Sequence, residues 1–174
     1  MKSGFEVYKN PSKAFINSTS SDEEKFEPLT ELAQKYDCNL IALTMSKETG
    51  IPKTADGRLE LAFDMYERFI EKGLNTEKIY FDPLVLPLPI DQSQATEAIN
   101  TIKMIKESFA PPVKTVVGLS NVSNGCPKEI RPLINRQQGQ SDNVQFDKTK
   151  NYQHDKMRND VNHDFQDNIN KMNE

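Results

Sequence analysis

The chain has 174 residues, 28% of them charged, and a formal net charge of −4. That balance lacks the basic footprint of a nucleic-acid surface, and no apolar run approaches the roughly 20 residues that cross a bilayer. The opening stretch MKSGFEVYKN has no apolar core of a secretory signal. Cys38 and Cys126 are far apart and fit no metal or disulfide framework, so a reduced, cytoplasmic setting is expected. The two histidines, His154 and His163, both fall near the carboxyl terminus. Chemistry in the first 136 residues must therefore do without imidazole, which removes Ser-His-Asp and Cys-His schemes and most zinc sites.

Four short apolar runs recur in chain order. The first is AFINS, Ala14 to Ser18. The segment after it, SSDEEKFEPLTELAQKY, opens with Ser and Asp as N-cap candidates and acidic residues suited to a helix start. Phe26, Leu29, Leu32, Ala33 and Tyr36 then mark one helical face. The second run is NLIALTM, Asn39 to Met45. A loop punctuated by Gly and Pro leads from it into RLELAFDMYERFIEKG, where Leu59, Phe63, Tyr66 and Ile70 form the expected buried stripe. Gly73 sits where a glycine ends a helix. The third run, IYFDPLVLPLP, is broken by Pro83. A helix through Ala95, Ala98, Ile102 and Ile105 follows and stops before Pro111-Pro112. The fourth run, KTVVGLS, reads as the most apolar strand and is expected to be buried.

Strands alternating with helices of this length predict βαβ units and a parallel sheet, so the fold class is α/β. No Gly-x-Gly-x-x-Gly follows the first strand, and the alternation fits a (β/α)8 barrel better than a dinucleotide fold. A complete barrel needs roughly 250 residues. Four units are visible here, which predicts a partial TIM barrel over residues 1–136. Residues 137–174 are rich in Asn, Asp, Gln and Lys and are expected to form a polar tail, disordered or weakly helical. Met157, Val161, Phe165, Ile169 and Met172 fall at helical spacing within it, which leaves a partner-docking helix open as the sharper reading. His154 and His163 are not at a ligand spacing on a helix, so no metal is expected.

In parallel barrels the functional site lies at the carboxyl ends of the strands. Here those ends read Asn17-Ser18-Thr19, Thr44-Met45-Ser46, Asp82-Pro83 and Ser120-Asn121. A lone carboxylate, amides and hydroxyls suit a flat neutral heterocycle that presents N–H and C=O groups. Each taken singly has a plainer reading: Asp82 as a turn residue before proline, Asn17 as an Asx-turn former.

The stretches FINSTSSDEEKFEPLTELAQKYDCNLIALTMSKETGIPKTADGRLELA, YFDPLVLPLP, KTVVGLSNVSNG and RPLINR closely resemble methyltetrahydrofolate:corrinoid/iron–sulfur protein methyltransferases, from about Gly4 to Arg136. These pterin-binding TIM barrels are related to the folate domain of cobalamin-dependent methionine synthase and to dihydropteroate synthase. The resemblance implies a cytoplasmic enzyme of one-carbon metabolism. It would transfer a methyl group from N5 of 5-methyltetrahydrofolate to the cob(I)alamin of a corrinoid/iron–sulfur protein, and the intact family implies a homodimer. Asn17 and Asp82 match pterin-ring ligands, with Asp82 accepting the ring's amino and N3–H donors. Asn121 matches a mobile asparagine that reaches N5, and Asn124 and Arg131 fall at positions lining the folate site. A tertiary amine leaves poorly unless protonated. The Asn121 amide would accept a hydrogen bond from the protonated N5–H, stabilising charge that the ground state lacks.

The resemblance also implies early strands before FINSTS, with a further pterin-binding aspartate, and an apolar helix and strand after RPLINR. Neither is expected in this sequence, whose polar tail matches nothing in the family. The alternative reading is a truncated, non-catalytic remnant that binds pterin or self-associates. Dihydropteroate synthase ranks lower, because GLSNVSNG offers amides and hydroxyls where that enzyme would need cations.

Overall fold

The computed structural model describes residues 2–142. Helix α1 (Lys2–Val7) precedes strand β1 (Phe15–Thr19), helix α2 (Glu23–Tyr36) and strand β2 (Asn39–Leu43). Helix α3 (Ala55–Glu71), strand β3 (Ile79–Asp82), helix α4 (Ser93–Ser108), strand β4 (Lys114–Thr115) and helix α5 (Arg131–Asp142) follow. The strands form one parallel sheet in the order β1-β2-β3-β4. Strands in sequence order with a helix after each make this the expected partial (β/α)8 barrel. Helix α5 continues to Asp142, past Arg136. The expected helical stripe from Met157 to Met172 and both histidines lie outside the described residues.

Alternation along each strand divides the sheet into two faces. Ile16, Leu40, Ala42, Ile79 and Phe81 turn to the helices and join Phe26, Met65, Phe69, Ile105 and Phe109 in the main core. Phe26 stacks on Phe69 at 4.9 Å, and Phe81 on Phe109 at 5.8 Å. Burying each such side chain stabilises by about 1.5–3 kcal/mol. The opposite face carries the register row Asn17, Ile41, Tyr80 and Lys114. Phe15, one row lower, meets Tyr80 edge-on at 5.1 Å and stays 52% exposed, whereas Ile41 on the same face is 9% exposed.

Three expectations are corrected. The buried stripe of α3 is Ala55, Arg58, Ala62, Met65 and Phe69, one residue before the Leu59, Phe63, Tyr66 and Ile70 stripe. Phe63 and Ile70 are exposed, while Leu59 and Tyr66 pack against the core edge. Ala62, Met65 and Phe69 of that stripe pack into the main core, and Arg58 is fully buried with the Pro52 carbonyl and Gln94 accepting its hydrogen bonds. Secondly, β4 is two residues long, with Lys114 exposed and Val116 and Val117 only half-buried. It is an edge strand paired on one side, to β3, among the described residues, so its run does not need the double burial of an interior strand. Thirdly, Asp22 stands at the N-cap of α2 but makes no side-chain cap. Its carboxylate instead accepts from Ser20 Oγ at 2.7 Å and from the Lys47 amide at 2.6 Å, tying the β1–α2 loop to the β2–α3 loop. These bonds hold its carboxyl below the ordinary value.

Gly73, at a φ of +71°, ends α3 as expected, since only glycine enters that region freely.

Candidate functional site

Because the strands are parallel, their carboxyl ends share one edge of the sheet, and the loops leaving that edge carry the polar residues singled out above. Asn17 lies in β1 opposite Ile41, exposed on the inner face. A register shift between Asn17 and Thr19 bulges the strand just after it, a device that re-aims side chains at strand ends. Asp82 pairs with Leu43 one row further on, and alternation turns it to the same inner face as Asn17.

Asp82 ends β3 immediately before Pro83, which cannot continue the ladder. Its Oδ1 accepts the Leu84 amide at 2.8 Å. That bond closes a tight turn in which Leu84 adopts a φ of +64°, a left-handed conformation costly for a branched side chain. Asp82 Oδ2 has no partner and no cation faces the group among the described residues. Burial raises its carboxyl pKa, offset in part by the Leu84 bond. A shielded carboxylate with one oxygen left open is what a ligand bearing N–H donors requires.

Thr19 and Thr44 at the tips of β1 and β2 are fully buried, and their hydroxyls bond to the Ser20 and Asp82 carbonyls at 3.3 and 3.2 Å. They brace the edge and offer nothing to a ligand. Of the other polar tip residues, Ser18 and Ser46 are half-buried and Ser120 is exposed.

The loop from β4 to α5 holds Asn121 and Asn124, both exposed. Its sequence explains how. Val122 and Cys126, 1% and 2% exposed, sink into a second core with Val85, Leu88, Ala98 and Ile134. The Leu88 amide donates to the Val122 carbonyl at 2.9 Å. Buried anchors alternating with asparagines pin the loop while leaving the amides outside. Asn121 closes a short 3-10 turn, Leu119–Asn121, through its amide to the Gly118 carbonyl at 2.9 Å. Arg131 opens α5, and its Nε donates to the Cys126 carbonyl at 2.8 Å, bracing the same loop.

Sequence reasoning passed over the polar pair that joins two of these loops. Arg58 Nη2 donates to Gln94 Oε1 at 2.5 Å, and Gln94 Nε2 donates to the Lys53 carbonyl at 3.0 Å. Glu97 Oε2 accepts the Ala55 amide at 2.6 Å, at the start of α3. A single arginine within an amphipathic helix carries no sequence signal of burial. Among the described residues no group of His, Cys, Asp or Glu stands together as a metal site, and no helix is long and apolar enough to cross a membrane.

The fold is thus a parallel βα sheet with a shielded acid and exposed amides at its carboxyl edge. Residues 1–144 match the pterin binding enzyme family. The chain is 30% identical over 138 residues to the methylcorrinoid:tetrahydrofolate methyltransferase of Eubacterium limosum. That match covers 78% of this chain and 49% of that protein. It is also 30% identical to the methionine synthases of Mycobacterium tuberculosis, over 65% of this chain, and Mycobacterium leprae, over 71%. The matches span 10% and 11% of those two longer proteins. The chain belongs to the pterin binding enzyme family, and it spans about half the length of the first of these relatives.

Proposed function

We propose that the carboxyl edge of this sheet binds the reduced pterin ring of 5-methyltetrahydrofolate. In the whole protein, a methyl group passes there between N5 and the cobalamin of a corrinoid/iron–sulfur protein in the cytoplasm, the assembly being a homodimer. The observation that carries this reading is Asp82, a shielded carboxylate with an open oxygen and no cation beside it among the described residues, in a chain of the pterin-binding family. A dihydropteroate synthase-like reaction is the weaker fit, because GLSNVSNG offers amides and hydroxyls where that enzyme would need cations.

In this reading Asp82 accepts the N–H donors at the ring's amidine-like edge, and Asn17 donates and accepts beside it. Asn124 and Arg131 line the remainder of the folate site. The cobalamin, held by the partner protein, supplies the electron pair that takes the methyl. When the N5–methyl bond breaks, its electron pair stays on nitrogen. Protonation at N5 stabilises that pair, and the Asn121 carbonyl oxygen holds the proton by accepting the N5–H bond. A neutral amide cannot deliver the proton, which must come from solvent.

A hydrogen bond to a charged group contributes about 1.5–3 kcal/mol, about one to two orders of magnitude in rate. Asn121→Ala should therefore lower methyl transfer about tenfold or more while pterin affinity falls less. Following cobalamin absorbance in a stopped-flow assay checks this, and unchanged turnover would remove Asn121 from the mechanism. Microscopic reversibility makes the same contacts serve transfer from methylcorrinoid to tetrahydrofolate, the direction in the first relative's name.

A second reading rests on the chain's span of 49% of that relative. On that view the chain binds pterin without turning it over. Folate binding with no methyl transfer from the full chain would favour it.

A further inference from the structure

The 3-10 turn after β4 brings Asn121 back over Gly118. A methyl group on Gly118 would stand 3.0 Å from Asn121 Nδ2, tighter than side-chain atoms ordinarily approach, and 3.7 Å from its Cγ, an ordinary contact. The backbone does not require glycine here, for Gly118 has φ −79° and ψ 73°, which any L-residue can adopt. What the site requires is the empty space above its Cα. The Asn121 carboxamide makes no hydrogen bond with any described residue, and the side chain is exposed. Nothing else in the described chain holds its orientation.

We propose that Gly118 is a positioning residue for Asn121: its missing side chain is the seat that lets the carboxamide lie on the tip of β4, from where it meets N5 of the pterin. The inference rests on the role given to Asn121 above. An exposed amide is free to rotate when crowded, so a methyl at position 118 would swing it away and leave the fold intact. Displacements well under 1 Å matter for a group that must meet one ring atom.

Gly118→Ala in the full chain tests this, alongside Asn121→Ala and the double variant. Circular dichroism and melting should match the parent, since the backbone accepts alanine and the site is exposed. Affinity for tetrahydrofolate, whose N5 carries the hydrogen that Asn121 accepts, should fall about threefold to tenfold, the worth of one neutral hydrogen bond. In the Asn121→Ala background the same substitution should cost nothing further, because the seat would have no occupant. An equal loss in both backgrounds, or no loss in either, would overturn the proposal. The side-chain amide resonances of Asn121, identified by their disappearance in Asn121→Ala, give a readout that needs no ligand. They should move in free Gly118→Ala, and an unmoved pair would refute the seat. A parent chain that binds no methyltetrahydrofolate would instead sink the reading of the site, while the amide resonances still judge the seat.

Discussion

A carboxyl group that is partly withdrawn from water and meets no cation holds its proton more tightly in the folded chain than in the unfolded one. Asp82 is in that position, its pKa raised by burial above the ordinary value of 3.8. The sign follows from proton linkage: the native state binds more protons over the window between the two values. Stability is therefore greatest at acid pH on this account and falls as pH rises from near 3.8 through the native pKa. Asp82→Asn keeps an oxygen for the Leu84 amide and removes the buried charge. It should raise the denaturation midpoint at neutral pH and flatten that part of the stability–pH curve, both measurable by urea unfolding across pH. An unchanged slope would show that Asp82 is no more shielded folded than unfolded. Asp82, Asn17 and Asn121 are candidates in the sequence because each stands where an apolar run turns polar. Thr19 and Thr44 stand at the same kind of boundary, yet their hydroxyls turn inward to backbone carbonyls. Residue type at a strand end names a candidate; only the partners of its polar atoms decide whether a ligand finds it free.

The elements were legible where one face alone is buried. Helix α4 runs Ser93–Ser108 and buries Ala98, Ile102 and Ile105 as its spacing predicts. Helix α3 offers two apolar stripes side by side, and the stripe that is buried includes Arg58, a residue that sequence reasoning assigns to solvent. Its burial joins the β2–α3 loop to the start of α4 through Gln94 and the Lys53 carbonyl. Arg58 Nη1 is left without a hydrogen bond, so Gln94 and the Pro52 carbonyl are the acceptors its charge has. Gln94→Leu should then cost about 1.5–3 kcal/mol, the worth of a hydrogen bond to a charged group. Chemical denaturation of the full chain would measure it. A cost near zero would mean that water or Glu97 takes over the guanidinium. Strand β4 fell short of its apolar run because no strand beyond it is present among the described residues to extend the ladder.

For the whole molecule, local pattern reached the parallel sheet and the helix order, since each βα unit is encoded in about 30 to 40 consecutive residues, while the family came from the resemblance of whole stretches such as FINSTS and GLSNVSNG. What covers the inner face is not a local property. Phe15, Asn17, Ile41 and Tyr80 lie there on a sheet whose described edges are β1 and β4. A closed barrel fills such a face with side chains from opposing strands. Four units can still bring Asp82, Asn17 and the Asn121 loop to one edge, so binding is a weaker demand on this chain than turnover. The central claim is that this edge takes a reduced pterin through Asp82. Titration calorimetry of 5-methyltetrahydrofolate into the full chain and into Asp82→Asn tests it most directly. The account predicts one saturable site whose affinity drops about tenfold or more in Asp82→Asn, a protein expected to be at least as stable as its parent. No binding by the parent chain, or equal affinity in the two, would contradict it.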